Sequence, residues 1–179
     1  MRFGLIGTGY WARTAHAAAI AAHPDTELAA VWGRDPGKAA AVAEEFGARA
    51  HEDLDAMLAD VDAVAVATPP DVQAELAARA AAAGRHLLLD KPLAFSTAAA
   101  DALVQAAEAA GVRSVVFFTN RFNSPNAGWL DEVIREHGWF GAQVTHYGNI
   151  FRPGSPYAAS PWRSTHGALW DIGAHALSR

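Results

Sequence analysis

Through the first two thirds of the chain, short aliphatic and β-branched runs alternate with longer alanine-rich stretches of helical length. Runs at 2–7, 27–32, 61–67, 86–89 and 114–118 have the length of strands, and a weaker extended piece lies at 48–51. Segments near 10–22, 37–46, 53–59, 71–83 and 97–110 read as the helices between them. Such alternation predicts a parallel sheet with crossover helices on both faces. The caps support these bounds. Asp53, Asp71 and Ser96 stand at N-cap positions, while Gly47, Gly84 and Gly111 follow the last helical residues, where a left-handed residue closes a helix. The run 61–67 is apolar on both faces apart from Asp62, which predicts a central strand covered on each side.

After about residue 120 the texture changes. Trp129, Trp139, Phe140, Tyr147, Phe151, Tyr157, Trp162 and Trp170 crowd the remaining third, and Pro125, Pro153, Pro156 and Pro161 interrupt it. The pattern predicts a helix near 126–137, a strand at 142–151, a Pro/Gly/Ser loop at 152–166 and a helix from about 167 onward. We therefore expect two domains, 1–120 and 121–179. One strand and two helices cannot close a sheet-based core, so the second domain is expected to be the beginning of a larger α+β unit.

The glycines give the first domain its chemistry. Gly7-Thr8-Gly9-Tyr10-Trp11-Ala12 has the GxGxxA spacing and lies between a predicted strand and a predicted helix. In that context the first glycine permits a tight turn, the second lets a pyrophosphate approach the backbone, and Ala12 lets the helix pack close to the strand. Amides and dipole at the helix start then face the phosphate charge. The expected fold is a doubly wound parallel Rossmann sheet binding NAD or NADP. Glycines serving a tight turn alone are the plainer alternative.

Coenzyme choice is read where the second strand ends, at Gly33-Arg34-Asp35. An acid there suits the ribose 2′-hydroxyl of NAD, whereas an arginine suits a 2′-phosphate. Gly33 takes the acid's place and Arg34 follows, which favours NADP and leaves NAD possible. In the alternative reading Arg34 is merely solvated and Asp35 caps the next helix.

Composition excludes several classes of function. A net charge of −5 and a pI near 5.9, with no cationic cluster, argue against nucleic acid. The absence of cysteine removes disulfides and thiolate chemistry and fits the cytoplasm. The N-terminus lacks a signal-peptide pattern, and no apolar run approaches the roughly 20 residues of a membrane span.

Two further groups carry candidate chemistry. Asp90-Lys91-Pro92 follows a strand at the carboxyl edge of the sheet, where open α/β folds bind ligands. Lys91 can hold a hydroxyl there, or simply be a surface lysine before a turn. Asp171 and His175 stand four apart in a predicted helix, on one face. They suit either general acid/base work or a surface ion pair. His166 as a third metal ligand lacks the HExxH form, and no metal is expected.

Taken together, GLIGTGYWA at the N-terminus, ATPP at 67–70, DKPLA at 90–94, RFNSP at 121–125, WR at 162–163 and GALWDIGAH at 167–175 resemble the Gfo/Idh/MocA oxidoreductases. The order and spacing match over essentially the whole chain. The resemblance implies NAD(P)-dependent hydride transfer at CH–OH groups of sugars, cyclitols or related polyols. It implies Lys91, Asp171 and His175 as catalytic residues: the histidine takes the hydroxyl proton, and the other two orient substrate and coenzyme. Thr68 and Pro69 would line the coenzyme cleft, and Trp162 and Arg163 would reach toward coenzyme or substrate. Asp90 replaces the usual Glu, Gln73 stands where TPxxxH-like members carry histidine, and Ser178 replaces a frequent Asp. Similar proteins continue through the rest of a second-domain sheet, which completes the substrate pocket and forms a possible homo-oligomer contact. A non-catalytic NAD(P)-binding regulatory module and an NAD-dependent glycosidase-like relative are the alternative readings.

Overall fold

The structure, a computed structural model, describes residues 1–122, 127–141 and 143–177. Pro125, Ser178 and most of the RFNSP segment lie outside the described residues. The chain divides into two compact units, Met1–Phe117 and Phe118–Arg179.

The first unit is one parallel sheet of six strands. These are β1 (Arg2–Ile6), β2 (Glu27–Trp32), β3 (Arg49–His51), β4 (Ala63–Val66), β5 (His86–Asp90) and β6 (Ser114–Phe117), in the order β3-β2-β1-β4-β5-β6. All five pairings are parallel. The order reverses at β1, with β2 on one side and β4 on the other, which is the Rossmann topology and opens a crevice beyond the carboxyl ends of those strands. Central placement of β4 follows the apolar run predicted for it. The weak extended piece near 48–51 is a true edge strand, because β2 offers it a ladder from Ala30 to Trp32.

Alternation along the strands sends neighbours to opposite faces. Leu5, Val31 and Ala65 pack with Ala12, Ala17 and Ile20 of the opening helix and with Ala39, Val42 and Ala43 of α2 (Pro36–Phe46). Ile6, Val64 and Val66 pack on the other face. Their partners are Met57 and Leu58 of α3 (Leu54–Ala59), Ala77, Ala80 and Ala81 of α4 (Pro70–Ala82), and Leu103 and Ala107 of α5 (Thr97–Ala110). Alanine at these points lets helix backbones come close to the sheet at no side-chain entropy cost.

Asp53 and Ser96 cap α3 and α5 by accepting from Ala56 N at 2.7 Å and Ala99 N at 3.2 Å. Gly47 and Gly111 end α2 and α5 in the left-handed region. Asp71 does not cap. Helix α4 begins at Pro70 with Pro69 at the cap, and Asp71 falls in the first turn. Proline is preorganised for that first position and has no amide hydrogen to satisfy. The opening helix also departs from plain α geometry: Ala12–Ala17 is π-helical before α1 (Ala18–Ala22) continues it.

The second unit contains α6 (Thr119–Phe122), α7 (Ala127–Arg135), α8 (Pro161–Ala168), a π-helical turn Leu169–Gly173 and α9 (Ala174–Leu177). The strand expected at 142–151 is not formed over 143–151, where no neighbouring strand among the described residues supplies ladder hydrogen bonds. The loop expected at 152–166 gives way to α8, which Pro161 starts at its first position. Gly167, at φ 72° and ψ −166°, kinks the chain where the final helix was expected to start, and that helix forms as the π-helical turn Leu169–Gly173 continued by α9. Trp129, Trp139, Phe140 and Tyr147 are exposed, and Asp171 is the one buried residue among the described side chains of this unit. No helix among the described residues is long and apolar enough to cross a membrane.

Candidate active site

A cleft of about 390 Å³ opens at the reversal of strand order. Its walls are the loop after β1 (Gly7, Thr8, Gly9), the end of β2 (Trp32 to Asp35, with Lys38), the loop after β4 (Ala67, Thr68, Pro69) and one side of α4 (Val72, Glu75, Leu76). Gly7, Thr8, Gly9, Gly33, Arg34, Thr68 and Pro69, all expected at a coenzyme site, therefore share one surface.

Each glycine of the loop has a separate physical reason. Gly7 sits at φ +129°, and a β-carbon there would overlap the Ala67 carbonyl oxygen. Its amide donates to Trp32 O at 3.0 Å, while Ala67 N donates to Ile6 O at 3.0 Å, so the turn is stitched to both neighbouring strand ends. A β-carbon on Gly9 would meet nothing within 4 Å. That open approach, beside the amino end of the helix, is the room a pyrophosphate requires. Ala12 is 1% exposed and packs under the loop among Leu5, Ala17 and Val31. Tyr10 is half exposed at the helix start, and its carbonyl accepts from Thr14 Oγ1 at 2.8 Å. Trp11 is partly buried beside it.

At the end of β2, the place of the missing acid is occupied. A β-carbon on Gly33 would come within 2.6 Å of Thr8 Cγ2. Asp35 caps α2, accepting from Lys38 N at 3.1 Å, and its other oxygen lies 3.7 Å from Lys38 Nζ. Arg34 is exposed and lines the cleft together with Lys38. Asp35 is thus a helix cap, and Arg34 is an exposed residue that lines the cleft.

A dinucleotide fits this surface. Thr68 Oγ1 is buried without a hydrogen-bond partner at the lip of the cleft, and a buried hydroxyl left unpaired costs free energy. A ligand oxygen at that position would meet it. Val72 and Leu76 supply an apolar wall, whose signal in the sequence was the three- to four-residue spacing from Pro69 along α4.

Lys91 leaves the carboxyl end of β5, which pairs with β4 from His86 to Leu89. Its amide donates to Asp90 Oδ1 at 2.8 Å, and the Lys91–Pro92 bond is cis. Gln73, which in the sequence stands out only as a departure from a histidine pattern, lies behind this segment. Gln73, 1% exposed, donates from Nε2 to Asp90 O at 2.6 Å and to Pro92 O at 3.1 Å.

In the second unit Asp171 is held by Arg163, with Nε to Oδ2 at 3.3 Å, an ion pair rather than an aligned hydrogen bond. Arg163 also lies over the rings of Trp162 at 4.3 Å and Tyr157 at 4.6 Å, and donates from Nη1 to Ser160 Oγ at 3.2 Å. Asp171 is therefore no surface carboxylate; it sits on a π-helical turn, a feature frequent at functional sites. His175 follows in α9, its ring 6.5 Å from that of His146 and nearly parallel to it at 19°. His166 packs edge-on to Trp170.

Residues 1–118 match the family described as "Oxidoreductase family, NAD-binding Rossmann fold". Over 108 residues the chain is 42% identical to UDP-N-acetylglucosamine 3-dehydrogenase of Acidithiobacillus ferrooxidans, covering 60% of this chain and 34% of that one. GenD2 from gentamicin A biosynthesis, solved in complex with NAD, superposes with a TM-score of 0.76 at 30% identity, over 99% of this chain and 51% of its own. KijD10, a 3-ketoreductase from Actinomadura kijaniata solved with NADP and TDP-benzene, gives a TM-score of 0.69 at 32% identity, over 75% and 42%. The chain spans about half or less of the length of each of these three proteins. The glycine loop, the sheet order and the match over the whole first unit place this chain in the Gfo/Idh/MocA family of oxidoreductases.

Proposed function

We propose that the chain holds NADP, and NAD less tightly, for hydride transfer at a CH–OH carbon of a sugar, cyclitol or related polyol. The observation that carries this reading is the cleft at the strand-order reversal, where Gly9 leaves open space, Thr68 offers an unpaired hydroxyl and Arg34 lines the wall with Lys38 beyond the end of β2. The amides of the Gly7–Gly9 loop and the first helical turn hold the pyrophosphate. Arg34 and Lys38 meet a 2′-phosphate, and the Thr8 methyl keeps an acid from Gly33. A nicotinamide coenzyme held by these residues would supply the hydride acceptor or donor.

The chain's own chemistry is proton handling and orientation. His175 takes the hydroxyl proton, a task for which an imidazole nitrogen is chemically suited. Lys91 and Asp171 orient the reacting groups, and the Arg163 ion pair holds the buried Asp171 in place. Trp162 stacks on Arg163 and stiffens that pair. Residues 1–120 serve as the coenzyme domain and residues 121–179 contribute to the substrate domain. Relatives named for a nucleotide-sugar 3-dehydrogenase and a 3-ketoreductase support substrates of the sugar class.

Titration of the folded chain with NADPH and NADH, followed by a dehydrogenase screen over polyols and nucleotide sugars, tests the proposal. Tighter binding of NADPH is expected. A folded chain with no affinity for either coenzyme at millimolar concentration would end it.

A further inference from the structure

We infer that Gln73 is a positioning residue for Lys91: from α4, its carboxamide grips the backbone leaving β5 and sets where the lysine stands. Nε2 of this buried side chain reaches the carbonyl oxygens of Asp90 at 2.6 Å, Pro92 at 3.1 Å and Leu93 at 3.4 Å. One of these carbonyls precedes Lys91 and two follow it, so a single amide brackets the lysine from both sides. Three acceptors call for a donor, which fixes the orientation of the amide without further assumption. Residues 91–95 belong to no strand or helix, and Pro92 has no amide hydrogen to contribute. Asp90 tightens the same turn by accepting from Lys91 N.

The other end of the amide is idle. Gln73 Oε1 is buried with no hydrogen-bond partner. An unused buried acceptor is a cost, so the donors define what this residue does. A methionine would fill similar space without that cost, yet would leave the three carbonyl oxygens facing hydrocarbon. The same helix presents Val72, Glu75 and Leu76 to the coenzyme cleft. One turn of α4 therefore joins the cleft wall to the base of the lysine.

This role rests on Lys91 working at the coenzyme site, as proposed above, but it can be measured without turnover. The sequence contains two lysines, Lys38 and Lys91. Acylation of the full chain by an amine-directed reagent, read by peptide mass spectrometry, reports Lys91 against Lys38 as an internal standard. Gln73→Met should change the Lys91 to Lys38 labelling ratio about tenfold, as expected for freeing a segment held by more than one hydrogen bond. NADPH affinity should fall by a smaller factor than the labelling ratio changes, since the glycine loop is a set of contacts separate from Lys91. Gln73→His, whose ring nitrogen reaches a similar distance with one N–H, should restore most of the wild-type ratio.

A folded Gln73→Met chain with an unchanged ratio overturns the inference, as does a histidine variant no better than methionine. Should the methionine variant fail to fold, Gln73→Asn decides, because it keeps the donors but withdraws them by one methylene. An intermediate ratio supports the clamp, and a wild-type ratio overturns it. A wild-type chain that binds no NADPH would remove the coenzyme reading, while the labelling ratio would still report on Gln73.

Discussion

The methyl group of Thr8 lies 2.6 Å from the point where a β-carbon on Gly33 would sit. The glycine loop and the end of β2 are thereby coupled: while threonine holds position 8, an acidic residue cannot enter position 33 without moving one of them. Threonine is short and β-branched, so its methyl has little freedom to swing away.

Gly33→Asp alone should therefore weaken both coenzymes, because overpacking of this kind costs about 1–3 kcal/mol. Thr8→Ser removes the offending methyl and leaves Oγ1 at 3.5 Å from the new β-carbon, an ordinary contact. The double variant Thr8→Ser, Gly33→Asp should bind NADH better than NADPH. Fluorescence titration of the four proteins gives the coupling directly, and additive effects would show that the two positions act separately.

Arg34→Ala should lower NADPH affinity by about tenfold to a hundredfold, the size of a lost charge-assisted hydrogen bond, with little change for NADH. Titration of both coenzymes at two salt concentrations checks this, because an exposed arginine contributes less as ionic strength rises. Equal losses for the two coenzymes would place Arg34 away from the 2′ position.

Alanine at the two loop glycines should separate folding from binding. Gly7→Ala meets a backbone carbonyl at a φ of +129°, so it should cost roughly 2 kcal/mol or more of stability. Gly9→Ala meets nothing within 4 Å and should melt like wild type while losing most of its coenzyme affinity. Thermal melts paired with NADPH titrations distinguish the two outcomes.

His16 should make the first unit acid-sensitive. It lies in the opening helix, 3% exposed, edge-on to Phe117 at 5.8 Å, and burial pushes its pKa down from 6.5 to about 4. The unfolded chain then binds the proton more readily than the folded one. Stability is full above pH 6.5, falls as pH drops, and levels off below about pH 4. The loss across that window is about 3 kcal/mol. Urea unfolding between pH 7 and pH 4 measures it, and a neutral isostere, His16→Gln, should flatten most of the slope.

Features that depend on neighbouring residues were legible in the chain. Asp53 and Ser96 were readable as caps because a capping side chain bonds an amide three residues on. Asp71 misled because two prolines precede it and the helix starts on the second. Gln73 was seen only as a departure from a histidine pattern, since the carbonyls it holds lie 17 to 20 residues away. The strand expected over 142–151 had the right residues but needs a neighbour to pair with, which periodicity cannot supply.

By itself the sequence determined the parallel sheet and its crossover helices, the glycine loop and the family. Each of these is written in local terms: alternation along a strand, helix period, and glycine where no side chain fits. Only the tertiary structure decided that the Thr8 methyl fills the space at Gly33, that Asp171 is buried against Arg163 and that Gln73 spans the turn around Lys91. Those contacts join positions that no local pattern pairs, and their distances exist only once the chain has folded.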